Sequence, residues 1–178
     1  MLTHWHKLLT SDCTVIRIGK FTVYPIHRVG HTSLMSVAEE KYVNEQITRL
    51  DHIDVLIRDP EQRFISGVNE YCRQRTLDIE ETYKKIINDK LIDSHFVPQY
   101  IWLMKLYRFY KGQITIRPFQ FIANITDVHL HDGSNNKKVM VNPLDSFVRV
   151  DREIIKNTTV QRQHSLKDII MDYKHVLS

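Results

Sequence analysis

The sequence predicts an α/β domain with a mostly parallel central sheet flanked by helices. Three observations carry that expectation. Short apolar, β-branched runs alternate with helical patterns along the chain, which is the order of a layered α/β domain. Ile53 to Ile57, apolar apart from Asp54, is a short run of the kind found in a strand covered on both faces. Two segments, Tyr24 to Leu34 and Val55 to Gly67, each read as a strand, a tight polar turn and a helix start.

Taken in order, Val15 to Ile18 and Phe21 to Pro25 pair around Gly19-Lys20 as a hairpin, or else only the second run joins the central sheet. Thr32 to Leu50 reads as one helix, because Leu34, Val37, Ala38, Val43, Ile47 and Leu50 fall on one stripe. After the Ile53 strand, Asp59 is placed to cap a helix from Pro60 to about Arg73, with proline at its first position. Asp78-Ile79-Glu80-Glu81 opens a further helix to about Leu91. Gln99 to Tyr110 is helical and rich in Trp, Leu and Tyr, and Ile114 to Ile116 is a strand ending at Arg117-Pro118. Asp132 to Asn136 is a turn cluster, and Ser165-Leu166-Lys167-Asp168 caps a last helix reaching Leu177. No repeat or linker interrupts the 178 residues, so one domain over 1–178 is expected.

Apolar residues make up 42% and charged residues 26%, as in a soluble globular chain. The net charge of +4 suits an anionic ligand but is too small to argue for nucleic acid. Cys13 and Cys72 form neither a metal motif nor a disulfide framework, so a reducing compartment is expected. The first residues, Met1 to Lys7, carry no apolar signal region, and no run approaches the roughly 18 apolar residues that span a bilayer. A soluble, cytoplasmic protein with no membrane partner follows as an expectation. Asn124-Ile125-Thr126 and Asn157-Thr158-Thr159 are then chance matches to the glycosylation pattern.

Both turns put cationic and hydroxyl side chains at a helix start, where free N–H groups and a partial positive charge suit an anion. Arg58 closes the Ile53 strand and Ser66 lies about two helical turns on, so both can reach an anion at the strand's carboxyl end. The plain alternative is a capped helix start with a local ion pair. Two such turns in one domain imply a ligand with two separate anionic groups.

The segment Arg58-Asp59-Pro60-x-x-Arg63-Phe64-x-Ser66-Gly67 resembles the 3′-phosphate motif of sulfotransferases, most closely the carbohydrate enzymes of the chondroitin and HNK-1 type. His27-Arg28-Val29-Gly30-His31-Thr32-Ser33-Leu34 is similar to their 5′-phosphosulfate loop, with Arg28 where the family has lysine and His27 where it has proline. Ser94-His95-Phe96-Val97-Pro98-Gln99 resembles the His-Trp-x-Pro-Gln stretch, and Asn157-Thr158-Thr159 with the last helix resembles the C-terminal segment. In order and rough spacing the likeness covers about residues 21–177. It implies a P-loop-like three-layer fold and 3′-phosphoadenosine-5′-phosphosulfate (PAPS) as sulfuryl donor, with no metal. The acceptor it implies is a small molecule or saccharide.

The same resemblance implies site roles. Arg28, Gly30, His31, Thr32 and Ser33 would take the 5′-phosphosulfate, and Arg58 and Ser66 the 3′-phosphate. Arg28 and His95 would be catalytic, His95 as the base and His31 as second choice. Arginine keeps the charge of the family lysine but cannot pass on a proton. Family members of this type are typically Golgi membrane proteins, so this chain is expected to be a minimal microbial or viral relative. Larger relatives carry acceptor-binding structure between the first helix and the Ile53 strand, where this chain has only about two residues. The main alternative is a non-catalytic relative that binds an anionic nucleotide or glycan. A P-loop kinase-like enzyme stands further off, because Gly-x-x-x-x-Gly-Lys-Ser/Thr is absent. The aromatic stretch from Tyr100 to Tyr110 reads as core, and the pairs His27/His31 and His129/His131 lack the further ligands of a metal site.

Overall fold

A computed structural model of the chain describes residues 6–88, 90–126, 152 and 163–165, the last three as backbone. The expected turn at Asp132 to Asn136, the Asn157 segment and the helix beyond Ser165 lie outside the described residues. Ser165 itself is the last residue of a strand.

A short helix α1 (His6–Thr10) leads into β1 (Thr14–Ile18) and β2 (Phe21–Tyr24). These two form the expected antiparallel hairpin, Ile18 facing Phe21 across Gly19-Lys20 and Gly19 at φ 55°. Helix α2 (His31–Ser36), strand β3 (Glu40–Val43) and a 3₁₀ turn (Asn44–Arg49) then precede β4 (Ile53–Ile57). Three helices follow, α3 (Pro60–Arg75), α4 (Ile79–Ile87) and α5 (Gln99–Tyr107), and then β5 (Gln113–Pro118), a 3₁₀ turn (Phe119–Phe121), α6 (Ile122–Ile125) and β6 (Gln163–Ser165).

The single helix expected over Thr32 to Leu50 is not formed. Tertiary pairing overrides the apolar stripe: β3 runs antiparallel along β1, with Tyr42 opposite Val15. Arg17 bonds both Glu39 and Glu40, and the Asn44 side chain, on a residue at φ 53°, accepts from the Cys13 N–H at 2.9 Å. Those bonds hold the segment extended where helical spacing alone would coil it.

The described strands form one sheet in the order β3-β1-β2-β4-β5-β6. Only β2, β4 and β5 pair in parallel, so the sheet is mixed, not mostly parallel. The reason is connection length. Parallel neighbours need a crossover of about a dozen residues or more, which the chain has between β2 and β4 and between β4 and β5. A two-residue hairpin can join β1 to β2 only in antiparallel pairing.

All five residues of β4 are buried. Tyr24 is in register with Val55 and sends its hydroxyl to the Trp102 carbonyl of α5, so α5 covers that face. On the other face Phe121 meets Phe21 edge-on at 5.7 Å and lies 4.1 Å from the Arg117 guanidinium. The expected core reading of the aromatic stretch holds: Tyr100, Trp102 and Leu106 are buried in α5.

Candidate functional site

The carboxyl ends of the three parallel strands lie along one edge of the sheet, the edge where open α/β sheets bind ligands. β2 leads to the His27–Gly30 turn, β4 to Arg58 and β5 to Phe119. A cavity of about 350 Å³ opens there, and its lining includes His27, Arg28, Gly30, His31, Thr32, Ser33, Arg58 and His95. Two segments far apart in sequence therefore meet at one site. Ser66, also expected there, borders the neighbouring cavity of about 660 Å³ and bonds the Arg28 guanidinium, with Nε at 3.2 Å and Nη2 at 2.7 Å.

Arg58 is only 7% exposed. Its peptide is clamped by the buried Gln99 side chain, which accepts from the Arg58 N–H and donates to the Arg58 carbonyl, both at 2.9 Å. Its guanidinium lies 5.0 Å from the centre of the Phe119 ring. The cation is thus fixed in place before any ligand arrives. Arg63 serves the turn from within the fold. Buried in α3, it donates to the carbonyls of His27 and Val97 and so ties the first turn and the His95 segment to the helix.

The helix starts contribute less than the sequence suggested. Asp59 caps α3 with its own carboxylate, which accepts from the Gln62 N–H at 2.9 Å, so an anion already occupies that terminus. Helix α2 has only six residues and begins at Gly30 with φ 72°. What the site offers an anion is therefore the side chains of Arg28 and Arg58 together with the turn itself. Arg28 holds φ 63°, a backbone region in which an L-residue is strained.

Three histidines gather at the rim. The His27 ring lies 4.3 Å from that of His31 and 6.0 Å from that of His95. Burial, then the neighbouring His31, His95, Arg63 and Lys105, hold the His27 imidazole down at about 3 from an ordinary 6.5. Burial also lowers His31. Asp93 accepts from the His95 backbone N–H at 3.0 Å and contacts the ring Nδ1. Burial alone would raise Asp93, but its bonds with His95 outweigh that and leave it below the usual carboxylate value. An ionised carboxylate can only accept, so Nδ1 carries the proton and Nε2 is the basic atom of the neutral ring.

The His27 shift has a definite sign. The unfolded chain takes up this proton near pH 6.5 and the fold only near 3, so stability falls as pH drops through that window. One such group changes stability by at most about 1.4 kcal/mol per pH unit. Melting temperatures measured from pH 7 to 4 are expected to fall, and His27→Gln is expected to flatten the curve. An unchanged slope in that variant would show that His27 is not the group responsible.

Gly67 explains how the His95 segment comes so close. A Cβ at Gly67 would sit 2.0 Å from the His95 carbonyl oxygen, a backbone atom that cannot step aside. Helix propensity favours alanine here by about 1 kcal/mol. Overpacking costs roughly 1–3 kcal/mol and dominates. Gly67→Ala is expected to lower the melting temperature and to shift the His95 backbone resonances. A variant as stable as the wild type would contradict the close packing.

Sequence reasoning missed Glu70, Gln74 and Phe119 in the lining, and Asp93 and Gln99 behind it. Glu70 sits one helical turn after Ser66, and the hydrogen bond from Arg73 is the main reason it is held down at about 2. It stays ionised inside an otherwise cationic cavity. Phe119 had a readable signal, since it directly follows the end of a parallel strand. His52 lies at the amino end of β4, away from the cavity, 2.9 Å from the Thr115 hydroxyl. Among the described residues no helix is long and apolar enough to cross a membrane, and no group of three or more His, Cys, Asp or Glu is arranged to hold a metal ion.

No family model, no curated protein and no solved structure matches the chain.

Proposed function

We propose that the chain is a PAPS-dependent sulfotransferase acting on a hydroxyl acceptor, built on a P-loop-like three-layer fold. The observation that supports this best is the convergence of Arg28 and Arg58, from the ends of two adjacent parallel strands, on one cavity bordered by an Asp93–His95 pair. In this reading Arg58 and Ser66 hold the 3′-phosphate. Arg28, the Gly30 turn, His31, Thr32 and Ser33 hold the 5′ end. The donor supplies a sulfuryl group: the acceptor oxygen bonds to sulfur as the sulfur–oxygen bond to phosphate breaks, its electron pair leaving with the phosphate. Arg28 stabilises the charge on that leaving phosphate, and His95 takes the acceptor proton on Nε2. The Arg28–Ser66 bond must open for both phosphate positions to fill.

One observation favours a non-catalytic binder of an anionic nucleotide or glycan. A guanidinium stands at the leaving-group position, and it cannot donate its proton to the departing oxygen. Calorimetry with 3′,5′-ADP in the absence of Mg²⁺, against AMP and against ATP with and without Mg²⁺, tests the site. Binding that depends on the 3′-phosphate is the expected result, and preference for Mg-ATP would overturn the reading. Turnover of PAPS with an acceptor then separates the enzyme from the binder.

A further inference from the structure

We propose that a third cavity, adjoining the first on its other side from Ser66, binds a small uncharged polyhydroxylated ring, the size of one monosaccharide or cyclitol, and presents a hydroxyl to the histidine cluster. Its role as the acceptor pocket rests on the sulfotransferase reading; the binding itself rests on the cavity. The cavity measures about 250 Å³ and shares His27 and His31 with the first, so those two rings form the wall between them. Ligand cavities usually run from roughly 300 to 1,000 Å³, so this one has room for a single ring and its substituents.

The lining points to the chemical class. Trp102, from α5, supplies an aromatic surface and packs 4.7 Å from the His27 ring. The lining also includes Ser11, Asp12 and Lys105, whose ammonium lies 5.4 Å from the centre of the Trp102 ring. Lys105 is 6% exposed and uses one of its three donors on the Ser11 hydroxyl at 2.8 Å. Asp12 Oδ1 accepts from the Asn44 side-chain amide at 3.0 Å, which leaves its second oxygen to accept from a ligand. One ammonium and one carboxylate offset each other, and the two histidines are neutral at pH 7 because burial lowers both. The first cavity, by contrast, sets two arginines against one glutamate. An anion is therefore drawn to the first cavity and a neutral molecule suits the third. A hydroxyl both donates to a carboxylate and accepts from an ammonium through a single atom, and a vicinal pair can do both at once within a small ring. An anionic polysaccharide chain fits neither the volume nor the charge.

The test uses the full chain carrying Trp5→Phe, which leaves Trp102 as its one tryptophan because the sequence has two. Trp102 emission is titrated with myo-inositol, D-glucose and D-galactose, and separately with a chondroitin tetrasaccharide. Saturable change with at least one single-ring probe is expected. Asp12→Asn, an exposed position outside the core, is expected to weaken it at least tenfold. Lys105→Met should act likewise, with circular dichroism checking its fold. No saturation with any single-ring probe, equal affinity in Asp12→Asn, or response to the tetrasaccharide alone would each overturn the proposal. 3′,5′-ADP calorimetry on the same protein separates the two readings. Ring binding without 3′,5′-ADP binding keeps this cavity and removes the transfer reading, and the reverse result removes the cavity's role.

Discussion

Arg58→Ala is expected to weaken 3′,5′-ADP binding by about 10²-fold while the protein stays folded. A hydrogen bond to a charged group contributes roughly 1.5–3 kcal/mol, and 1.4 kcal/mol is a factor of ten in affinity. Arg58 is nearly buried, so little solvent screens its charge. The fold survives because Gln99 grips the Arg58 peptide and not its side chain. Alanine keeps both of those bonds and gives up the stacking on Phe119 and a long bond to the Arg28 carbonyl. AMP affinity should change little, since the loss belongs to the 3′-phosphate. Calorimetry of the variant with both nucleotides checks this. Equal losses for AMP and 3′,5′-ADP would mean that Arg58 shapes the cavity as a whole, and unchanged 3′,5′-ADP affinity would remove it from the site.

The parts of this molecule that could be read from sequence are those whose cause is local. The Gly19-Lys20 hairpin, the Asp59 cap with Pro60 after it, and the buried β4 run each depend on residues a few positions apart. The two cationic turns were legible for the same reason, and their meeting in one cavity follows from β2 and β4 being parallel neighbours. What sequence could not give depends on partners far along the chain. The stripe from Leu34 to Leu50 has helical spacing, yet β1 takes Glu40 to Val43 as its outer neighbour. Arg63 stands in the motif from Arg58 to Gly67, and only the fold shows it donating to the carbonyls of His27 and Val97. The helix starts misled in a subtler way. Asp59 is the cap that its place before Pro60 predicts, but a capping carboxylate is itself the anion at that terminus, so cap and anion site exclude each other there. Gly67 belonged to the motif from the start, and its reason, the His95 carbonyl against α3, exists only in three dimensions.

The largest expected effect on turnover belongs to His95. A positioned base contributes about 10²–10⁴-fold, so His95→Ala should lower kcat by that range with 3′,5′-ADP affinity unchanged. The substitution spares what the segment does structurally, because its contact with Gly67 and its bond from N–H to Asp93 are made by the backbone. Added imidazole should restore part of the lost rate, which a merely structural role would not allow. Asp93 is a positioning residue in this scheme. Asp93→Asn leaves the size of the side chain but offers the ring an amide that can donate as well as accept, so the tautomer with a basic Nε2 is no longer enforced. The expected result is a fall in kcat without a change in KM, smaller than for His95→Ala. The double variant should be no slower than His95→Ala alone, because Asp93 acts only through the imidazole. Additive losses would separate the two residues, and full activity in His95→Ala would move the base to His31, whose imidazole also lines the cavity and is lowered by burial.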